Sequence, residues 1–421
     1  MEQHRDRYTA FLDPTKAFDT VSQDGLWKIM GKFGCPSTFI AVVRQFHDST
    51  MAQVLDDGEP SEAFPVTNGV EQGCVLTPTL FSLMFSAMLT DAFRESKPGI
   101  NITFRTDGKL FNPRRLEAAT KVKETVLRDF LFADDCALNA SDEQEMQAEM
   151  DSFSAACNNF GHTISTKKTE VMLQPAPGNQ YHEPQITVNG QTLQAVETFT
   201  YLGSTLSRTA TIDAEINNRI SKASSAFERL SGKVWERRAI SLDTELKVYR
   251  VVVLTTLLYG SETWTVYRRH EKILNHFHLR CLLRIRWQDK VPNTEVLQQA
   301  NFPSITTITH KAQLRWAGHV SRMPDDRIPN HLFYGKLGHG KRTVGGQRKR
   351  FKDSLKVSLK DFNISTESWE SLASDRPCWR HLITKGASTA EERRTLQAEQ
   401  GELHARPEPP APPARHLPTT A

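Results

Sequence analysis

The sequence is short of cysteine and of long hydrophobic runs. Its 421 residues include six cysteines, and these are scattered without paired spacing. No secretory or membrane-spanning run is visible, and no internal repeat is evident. These absences argue against a secreted or membrane-spanning protein, and they predict a reducing intracellular setting, nuclear or cytoplasmic, as the default.

An excess of charge of one sign is also lacking. The formal net charge is only +4 and the pI is about 8.6. This mild basic excess is compatible with nucleic acid, but it also fits many ordinary proteins. A chain of 421 residues has room for two or more domains. Composition therefore leaves the function open, and the motifs have to decide it.

Two adjacent carboxylates interrupt the apolar segment 129–138. Asp134 and Asp135 fall between what read as two strands of a hairpin. A buried charge is costly unless it is paired or binds a metal, so carboxylates at the tip of an apolar hairpin indicate a cation. Hard oxygen ligands suit Mg²⁺, and two such ions can clamp the reacting oxygens of a phosphoryl transfer. Most Asp-Asp pairs are solvated turn residues, so this pair alone decides little.

Two further segments have a related design. Asp13 ends an apolar run and is followed by a turn and a helix that we expect to begin near Ser22. Residues 68–78 form a loop that leads into an apolar helix. Gly69 and Gly73 in this loop would let its backbone approach a ligand closely.

In this order the three segments resemble motifs A, B and C of reverse transcriptases, and those of the non-LTR (LINE-type) retrotransposons most closely. Motif C is the Phe-Ala-Asp-Asp sequence at 132–135. Residues 161–170 resemble motif D, and residues 199–203 resemble the primer-grip hairpin, motif E. The resemblance covers residue 8 to about 207, and it extends more loosely through 314–323.

The resemblance implies an RNA-directed DNA polymerase that works by two-metal nucleotidyl transfer. Asp13 and Asp134 would bridge two Mg²⁺ ions, with Mn²⁺ as an alternative, and Asp135 would support them. Lys168 matches the motif D lysine, which would give a proton to the leaving pyrophosphate. The implied partners are an RNA template, a DNA primer and deoxynucleoside triphosphates.

The resemblance also implies residues that contact the nucleotide, the template and the primer. Phe18 falls where the family places an aromatic steric gate against the ribose 2′-hydroxyl. Gln72 and Gly73 would touch the incoming nucleotide and the template. The primer grip would consist of Tyr201, Leu202 and Gly203.

The sequence departs from the family pattern in motif B and at its start. Glu71 stands where the family usually has Lys or Arg. Pro14 follows Asp13 directly, and because it has no N–H a sheet ladder could lose one bond there. Few residues precede Asp13, where the family places a fingers subdomain. These departures predict an N-terminally truncated chain with impaired synthesis. The alternative is a non-catalytic nucleic-acid-binding remnant or a domesticated retroelement protein.

Local patterns favour an α+β polymerase palm over residues 1–207, with helices on one face of an antiparallel sheet. Ser141 with Gln144 predicts a capping box that opens a helix, and Gly161 can end it. The dipeptide Asn189-Gly190 predicts a tight hairpin.

Beyond the palm the chain reads as mainly helical. Apolar residues recur at helical spacing over 216–230, and two further helices are expected over 246–258 and 274–287. A thumb over 208–290 is the natural interpretation, although a generic helical bundle fits the pattern equally well.

The third of these helices carries His276, His278 and Cys281, which could be metal ligands. The spacing of a zinc site is missing, however. A helix with ordinary surface and core residues is therefore the favoured interpretation.

The densest basic stretch is 338–352, in a C-terminal region assigned to 291–386. Its Gly-rich backbone with Lys and Arg favours binding to a phosphate backbone, although a solvated loop or a localisation signal has the same composition. Over 387–421 the chain turns polar and then Pro-rich, which predicts disorder. The candidate nucleic-acid-binding residues are Lys341, Arg342, Arg348, Lys349 and Arg350.

Overall fold

The chain forms two compact units. The N-terminal unit comprises Met1–Glu215 and Pro324–Gln347, and the C-terminal unit comprises Ile216–Met323 and Arg348–Ala421. These two units are defined by contacts between residues. The domain boundaries expected near 207, 290 and 386 were based on changes in sequence composition, and they stay predictions. The computed structural model describes residues 5–71, 73–94, 99–107, 109–112, 120–237, 239–283, 292–336 and 349–405.

The N-terminal unit is mixed α and β. Its helices are α1 (Gln23–Lys32), α2 (Ser37–Gln45), α3 (Thr77–Ala92), α4 (Glu143–Asn159) and the start of α5 (Asp213–Arg229). Its strands are β1 (Arg7–Leu12), β2 (Met51–Ala52), β3 (Leu55–Asp56), β4 (Glu59–Pro60), β5 (Phe64–Pro65), β6 (Ile100–Phe104), β7 (Lys123–Leu127), β8 (Asp129–Phe132), β9 (Asp135–Ala140), β10 (Glu170–Gln174), β11 (Thr187–Val188), β12 (Gln191–Thr192), β13 (Gln194–Ala195), β14 (Thr198–Tyr201) and β15 (Ser204–Ser207).

Five strands form the central sheet, in the order β13–β10–β1–β9–β8. β1 lies antiparallel to both neighbours, so that Ala10 is opposite Val171 on one side and Leu138 on the other. β13 joins β10 in parallel, and the sheet that was predicted as antiparallel therefore contains one parallel pair. A parallel pair needs a long connection between its strands. Residues 175–193, which include the confirmed Asn189-Gly190 hairpin, supply it.

The two faces of the sheet are covered by different partners. Tyr8, Ala10 and Leu12 lie on the face that packs against apolar side chains of α1, α3 and α4. Phe11 lies on the opposite face, as the period of two in a strand requires. There its ring stacks on Phe199 of the β14–β15 hairpin, with 3.9 Å between ring centroids. This arrangement confirms the predicted α+β palm, with the helices on one face.

Side-chain caps set the helix starts. α1 begins after Ser22, whose hydroxyl accepts from the Gly25 N–H, as predicted. α4 begins after Asp142 instead of Ser141. The Glu145 N–H donates to Asp142, while the Glu145 carboxylate accepts from the Ser141 N–H and hydroxyl. The N-cap thus lies one residue later than predicted, since the Asp142 carboxylate is a stronger acceptor than a serine hydroxyl. The reciprocal bond of a capping box is replaced by the bond from Glu145 to Ser141, the residue before the cap.

The C-terminal unit is mainly helical, and π-helical turns at Ser231–Trp235 and Tyr249–Leu254 interrupt its first half. The helix that was predicted over 246–258 is part of a longer helical stretch containing one of these turns. Its helices after α5 are α6 (Leu242–Val248), α7 (Thr255–Leu257), α8 (Arg268–Leu283), α9 (Asn293–Gln299), α10 (Ile305–Ser321), α12 (Phe351–Asp361), α13 (Trp369–Ser374) and α14 (Arg376–Ala405), while α11 (Ile328–Phe333) belongs to the N-terminal unit.

A glycine explains how α10 and α14 pack. A Cβ at Gly318 would overlap the indole ring of Trp379. The indole N–H donates to the Leu314 carbonyl at 3.1 Å, so ring and helix are locked together. This position in the loosely matched segment 314–323 therefore has a packing role.

The last helix corrects the predicted disordered tail. α14 continues to Ala405, so the chain from 387 to 405 is helical. This polar segment is stabilised as a helix by tertiary contacts. Ala390 is buried, and Arg394 pairs with Asp361 of α12. Tertiary contacts of this kind, more than local propensity, stabilise most protein helices. Residues 406–421, which hold the prolines of the tail, lie outside the described residues. Within the described ranges no helix combines the length and the apolar character needed to cross a bilayer.

Candidate active site

Asp13 and the Asp134–Asp135 pair meet at one edge of the central sheet. β1 and β9 are paired as far as Leu12 and Cys136, so Asp13 and Asp135 are the next facing positions. Asp134 lies in the two-residue turn between β8 and β9, where Ala133 adopts a φ of +53°. The sheet thus brings together carboxylates that are far apart in the sequence.

The electrostatics of these carboxylates favour a cation. Partial burial, and then the negative charges of Asp134 and Asp13, raise the pKa of Asp135. Asp13 and Asp134 are half-buried and Asp135 is exposed, as is Phe132 at the hairpin tip. The carboxylates are therefore less buried than the apolar pattern of 129–138 predicted, and their mutual repulsion is a main reason why this edge would accept positive charge.

Lys168 is placed beside Asp13. Its Nζ lies 3.6 Å from Asp13 Oδ2, and the side chains are 69% and 41% exposed respectively. The neighbouring Thr169 hydroxyl accepts from the Asp13 N–H at 3.3 Å. An ion pair this exposed contributes little to stability, so the ammonium can move toward another anion.

Pro14 costs the fold no hydrogen bond. It forms an isolated antiparallel bridge with Ile164. The two bonds of this bridge run from the Thr15 N–H to the Thr163 carbonyl and from the Ser165 N–H to the Asp13 carbonyl. The expectation that a ladder bond could be lost here is therefore wrong, because the bridge does not use the N–H of residue 14.

The motif B loop is anchored on the motif A turn by Gly69. The Gly69 N–H donates to the Val21 carbonyl, and the next N–H donates to the Phe18 carbonyl. Gly69 has a φ of +90°, and a Cβ there would lie 3.0 Å from the Asp19 carbonyl oxygen. Only glycine meets both conditions without strain. Gln72 lies outside the described residues, and Gly73 has open space on its Cβ side among the described atoms.

Phe18 and the motif E hairpin hold fixed positions. The Phe18 ring is half-buried and lies 4.7 Å from the Phe81 ring of α3, between centroids. At the tip of the β14–β15 hairpin, Leu202 and Gly203 both have positive φ. The Tyr201 hydroxyl donates to the Phe130 carbonyl at 3.0 Å, which ties this hairpin to β8 beside the carboxylates.

His162 is a positioning residue that sequence reasoning missed. It is 2% exposed; its Nδ1 pairs with the Thr20 hydroxyl at 2.9 Å, and its Nε2 lies 3.3 Å from the sulfur of Met84. Burial lowers the pKa of the imidazole. The ring thus connects the motif A turn, α3 and motif D. A single histidine after a helix-ending glycine gave no signal, because both partners are remote in the sequence.

Three of the other residues that the sequence analysis singled out have structural partners. His278 is buried, with Nδ1 on the Tyr249 hydroxyl and Nε2 on the Pro303 carbonyl, and burial lowers its pKa to about 4. The favoured interpretation of this helix thus agrees with the packing. Lys349 donates through Nζ to the Val266 carbonyl, and Arg350 caps α12 by pairing with Asp353. The remaining candidates Lys341, Arg342 and Arg348 lie outside the described residues.

Comparison with known proteins finds a family model that matches the N-terminal part of the chain. Residues 1–206 match the family model described as reverse transcriptase (RNA-dependent DNA polymerase). The chain is 26% identical over 273 residues to the RNA-directed DNA polymerase from mobile element jockey of Drosophila melanogaster, an alignment that covers 63% of this chain and 27% of the relative.

Two other relatives are also named as proteins of, or derived from, mobile elements. One is the retrovirus-related Pol polyprotein from type-2 retrotransposable element R2DM of Drosophila melanogaster, 32% identical over 142 residues, which covers 32% of this chain and 13% of the relative. The other is a putative uncharacterized transposon-derived protein of Caenorhabditis elegans, 25% identical over 279 residues, which covers 63% of this chain and 98% of the relative. The chain thus spans about a quarter of the length of the jockey polymerase.

Proposed function

We propose, since residues 1–206 belong to the reverse transcriptase family, that this protein acts as an RNA-directed DNA polymerase of a non-LTR retrotransposon. The observation that carries the proposal is the meeting of Asp13 with Asp134 and Asp135 at the edge of the sheet. Carboxylates held together against their own repulsion suit a site that receives cations and, with them, phosphate groups. The substrates would be an RNA template, a DNA primer and deoxynucleoside triphosphates.

The donor set at this edge fits two Mg²⁺ ions, or Mn²⁺ in their place. Asp13 and Asp134 would hold them, and Asp135 would add negative charge beside them. When bound, the ions supply charge stabilisation at the oxygens of the reacting phosphate. Among the described residues no group of three or more His, Cys, Asp and Glu side chains is arranged to hold a metal. Mg²⁺ with few protein ligands takes the rest of its shell from water and phosphates.

The chain's own residues would position the reactants. Lys168 would give a proton to the leaving pyrophosphate, since its ammonium is exposed beside Asp13. Phe18 would exclude a ribose 2′-hydroxyl, since its ring is held against α3. The open side of Gly73, with Gln72 before it, would admit the nucleotide and the template.

The motif E hairpin would hold the primer. Tyr201 fixes the hairpin to β8, and Leu202 is 41% exposed at its tip beside Gly203. A tip that is anchored next to the carboxylates can keep the primer 3′-hydroxyl in line with the reacting phosphate. Such positioning supplies a large part of the rate enhancement in nucleotidyl transfer.

Primer extension tests this function directly. The purified full chain is incubated with poly(rA)/oligo(dT), dTTP and Mg²⁺, and extended products are measured. Asp134→Asn should lower extension by about 100-fold or more, the scale on which a lost charge-stabilising group acts in a transition state. Asp56→Asn, at an exposed position on β3, is the matched control and should leave extension unchanged. Equal extension by the Asp134→Asn variant and the unmodified chain would overturn the assignment.

A second candidate, a nucleic-acid-binding protein without synthesis, is favoured by Glu71. Its side chain is exposed beside Gly73, where the carboxylate would repel a triphosphate. This candidate predicts template-primer binding with no extension by the unmodified chain. Glu71→Lys removes the repulsion. If this variant gains extension that Asp134→Asn abolishes, the polymerase site is competent and Glu71 only impairs it.

A further inference from the structure

A cavity of the N-terminal unit lies at the end of β1 opposite to Asp13, and we call it the palm cavity. It encloses about 370 Å³, which is at the lower end of the range for small-molecule sites. β1 and β9 supply Arg7 and Asn139 to its lining. The segment after α11, which is held on β6 by a bridge between Gly335 and Phe104, supplies another part. All of the lining residues belong to this one unit.

Hydrocarbon makes up most of the lining. Ile102 and Leu127 are buried, whereas Leu332 of α11 is 48% exposed, so the apolar surface runs from the core to solvent. These side chains offer no hydrogen bond, and a polar ligand body would lose its bonds to water without replacement. The body of a ligand should therefore be apolar. The apolar lining residues are Ile100, Ile102, Leu127, Phe130 and Leu332.

Arg7 is held at the palm cavity by neutral partners. Its Nε and Nη2 donate to the side-chain oxygen of Asn139 at 3.1 and 2.9 Å, and Nε also lies 3.2 Å from the Thr9 hydroxyl. Asn139 is 1% exposed, and its amide nitrogen donates to the Arg128 carbonyl at 3.1 Å. Its amide group is thus used within the fold. It fixes the guanidinium but leaves the positive charge uncompensated.

Among the described residues no carboxylate pairs with Arg7. Asp6, the acidic residue of the lining, is used elsewhere, since it accepts from the Ala176 N–H at 2.6 Å and from the Asn179 amide at 3.0 Å. Nη1 of Arg7 takes part in none of the bonds to Asn139 and Thr9. Burial lowers the pKa of the Arg7 guanidinium. A cation that is buried without an anion is costly, so an anionic ligand would be stabilised here.

The charge of the cavity favours a monoanion. A carboxylate matches the planar fork of a guanidinium through two parallel hydrogen bonds, and its single charge balances Arg7. A phosphate monoester would bring close to a second negative charge into a mostly apolar space. Arg5 and Lys336 also line the cavity, but they are partly exposed, and Arg5 donates to the Asn101 carbonyl at 3.4 Å.

We propose that the palm cavity binds an aliphatic monocarboxylate, whose carboxylate pairs with Arg7 and whose hydrocarbon chain packs against β6, β7 and α11. This site goes beyond the proposed polymerase function and does not depend on it. Arg7 and Asn139 connect β1 with β9, and the other ends of these strands carry Asp13 and Asp135. A bound ligand would therefore stabilise the unit that holds the carboxylates.

The test measures the binding of sodium octanoate to the full chain by isothermal titration calorimetry at neutral pH. 1-Octanol has the same body without the charge, and acetate has the charge without the body. Octanoate should bind at least about tenfold more tightly than octanol, since a charged hydrogen-bonded pair is lost. It should also bind at least about tenfold more tightly than acetate, since apolar surface stays in water. Octyl phosphate separates the two kinds of anion, and tighter binding of octyl phosphate than of octanoate would overturn the assignment to a carboxylate.

Arg7→Met removes the guanidinium and keeps an unbranched apolar stem. It should weaken octanoate binding at least about tenfold and leave octanol binding nearly unchanged. Arg44→Met, at an exposed position of α2, is the matched control and should leave octanoate binding unchanged. Thermal unfolding without ligand checks that both variants are folded. Octanoate should raise the unfolding temperature of the unmodified chain and of Arg44→Met, but not that of Arg7→Met.

A second pair of variants keeps the test decisive if Arg7→Met folds poorly. Leu332 is 48% exposed, so Leu332→Asp can place a negative charge beside the cavity without burying it. Leu332→Asn is its uncharged counterpart of the same size. Octanoate should bind about threefold or more weakly to Leu332→Asp than to Leu332→Asn, because like charges repel. Equal affinity in this pair and in Arg7→Met, or no binding of octanoate to the unmodified chain, would overturn the proposal.

Discussion

Asp361 of the C-terminal unit and the three aspartates of the candidate active site face opposite surroundings. Asp361 is 15% exposed and pairs with His310 at 2.8 Å and with the guanidinium groups of Arg393 and Arg394. Burial opposes its ionisation, but the His310 hydrogen bond and the charges of Arg394 and Arg393 hold its pKa below the ordinary value. Asp135 lies instead beside Asp13 and Asp134, and its pKa is raised.

The difference separates a carboxylate whose charge is neutralised within the fold from carboxylates whose charges repel one another. A paired buried carboxylate ties α12 to α10 and α14, and its loss leaves cations without a partner. Carboxylates gathered at a sheet edge add nothing to stability by their own contacts, because like charges repel.

The largest expected effect on stability comes from replacing Asp by Asn both in the ionic cluster around Asp361 and at the sheet edge around Asp135. Asp361→Asn should lower the free energy of unfolding by about 2–3 kcal/mol, because it removes the charge at the centre of a half-buried ionic cluster and leaves Arg393 without a carboxylate partner and Arg394 with Glu391 alone. Asp135→Asn should leave stability unchanged or raise it, because it removes repulsion from Asp13 and Asp134. Urea unfolding followed by circular dichroism measures both. A larger loss for Asp135→Asn would invalidate the comparison.

A second pair of variants compares a glycine that is in close contact with another side chain and a glycine that has open space beside it. Gly318→Ala should destabilise the C-terminal unit by about 2–3 kcal/mol, since the new methyl group would overlap the Trp379 indole. Gly31→Ala, inside α1, meets only one atom at 4.0 Å and should stabilise the N-terminal unit by about 0.5–1 kcal/mol through helix propensity. Thermal unfolding should show transitions that shift in opposite directions. A stable Gly318→Ala variant would mean that α14 can move away from α10.

The smallest expected effect concerns two glutamates and depends on pH. Glu149 of α4 is 1% exposed, and neither carboxyl oxygen has a hydrogen-bond partner among the described residues. Burial, and then the charge of Glu145, raise its pKa from 4.5 to about 8. Because the folded pKa is the higher one, the stability that Glu149 contributes is complete below about pH 4.5 and is lost as the pH rises toward 8.

Glu149→Gln, which resembles the protonated acid, should therefore stabilise the fold by about 1–2 kcal/mol near pH 8 and have little effect near pH 5. Glu391→Gln should act in the reverse direction near pH 8, because Ser304 and Thr307 lose a charged acceptor. The measurement is the urea midpoint of unfolding of each variant and of the unmodified chain at the two pH values. A Glu149→Gln effect that does not change with pH would show that this carboxyl group is ionised in the fold.

Local sequence signals predicted a large part of the palm. The helix start near Ser22, the Asn189-Gly190 hairpin and the helix before Gly161 depend on neighbouring residues only, and all three are present in the structure. The predictions were wrong where two neighbouring residues can both cap a helix, or where contacts between residues remote in the sequence decide the conformation. The cap of α4 moved by one residue to Asp142, and the polar start of the tail is helical because Asp361 holds it.

The order of the motifs predicted the residues of the candidate site. It did not predict the residues that pack around the site and position it. Asp13, Asp134 and Lys168 could be named from the sequence because each stands in a recognisable pattern. His162 could not, since its contacts with Thr20 and Met84 arise only when motif A, α3 and motif D are packed together.

The sequence by itself determined which residues carry charge, where several palm helices and one hairpin lie and which segments resemble a polymerase palm. These properties depend on side-chain chemistry and on contacts between near neighbours, so they can be read along the chain. Only the tertiary structure decided which charges have partners. The pairing of β1 with β9 placed Asp13 beside Asp135, and the packing of α12 against α10 and α14 gave Asp361 its cations. Charge pairing is set by distance in space, which distance along the chain does not reveal.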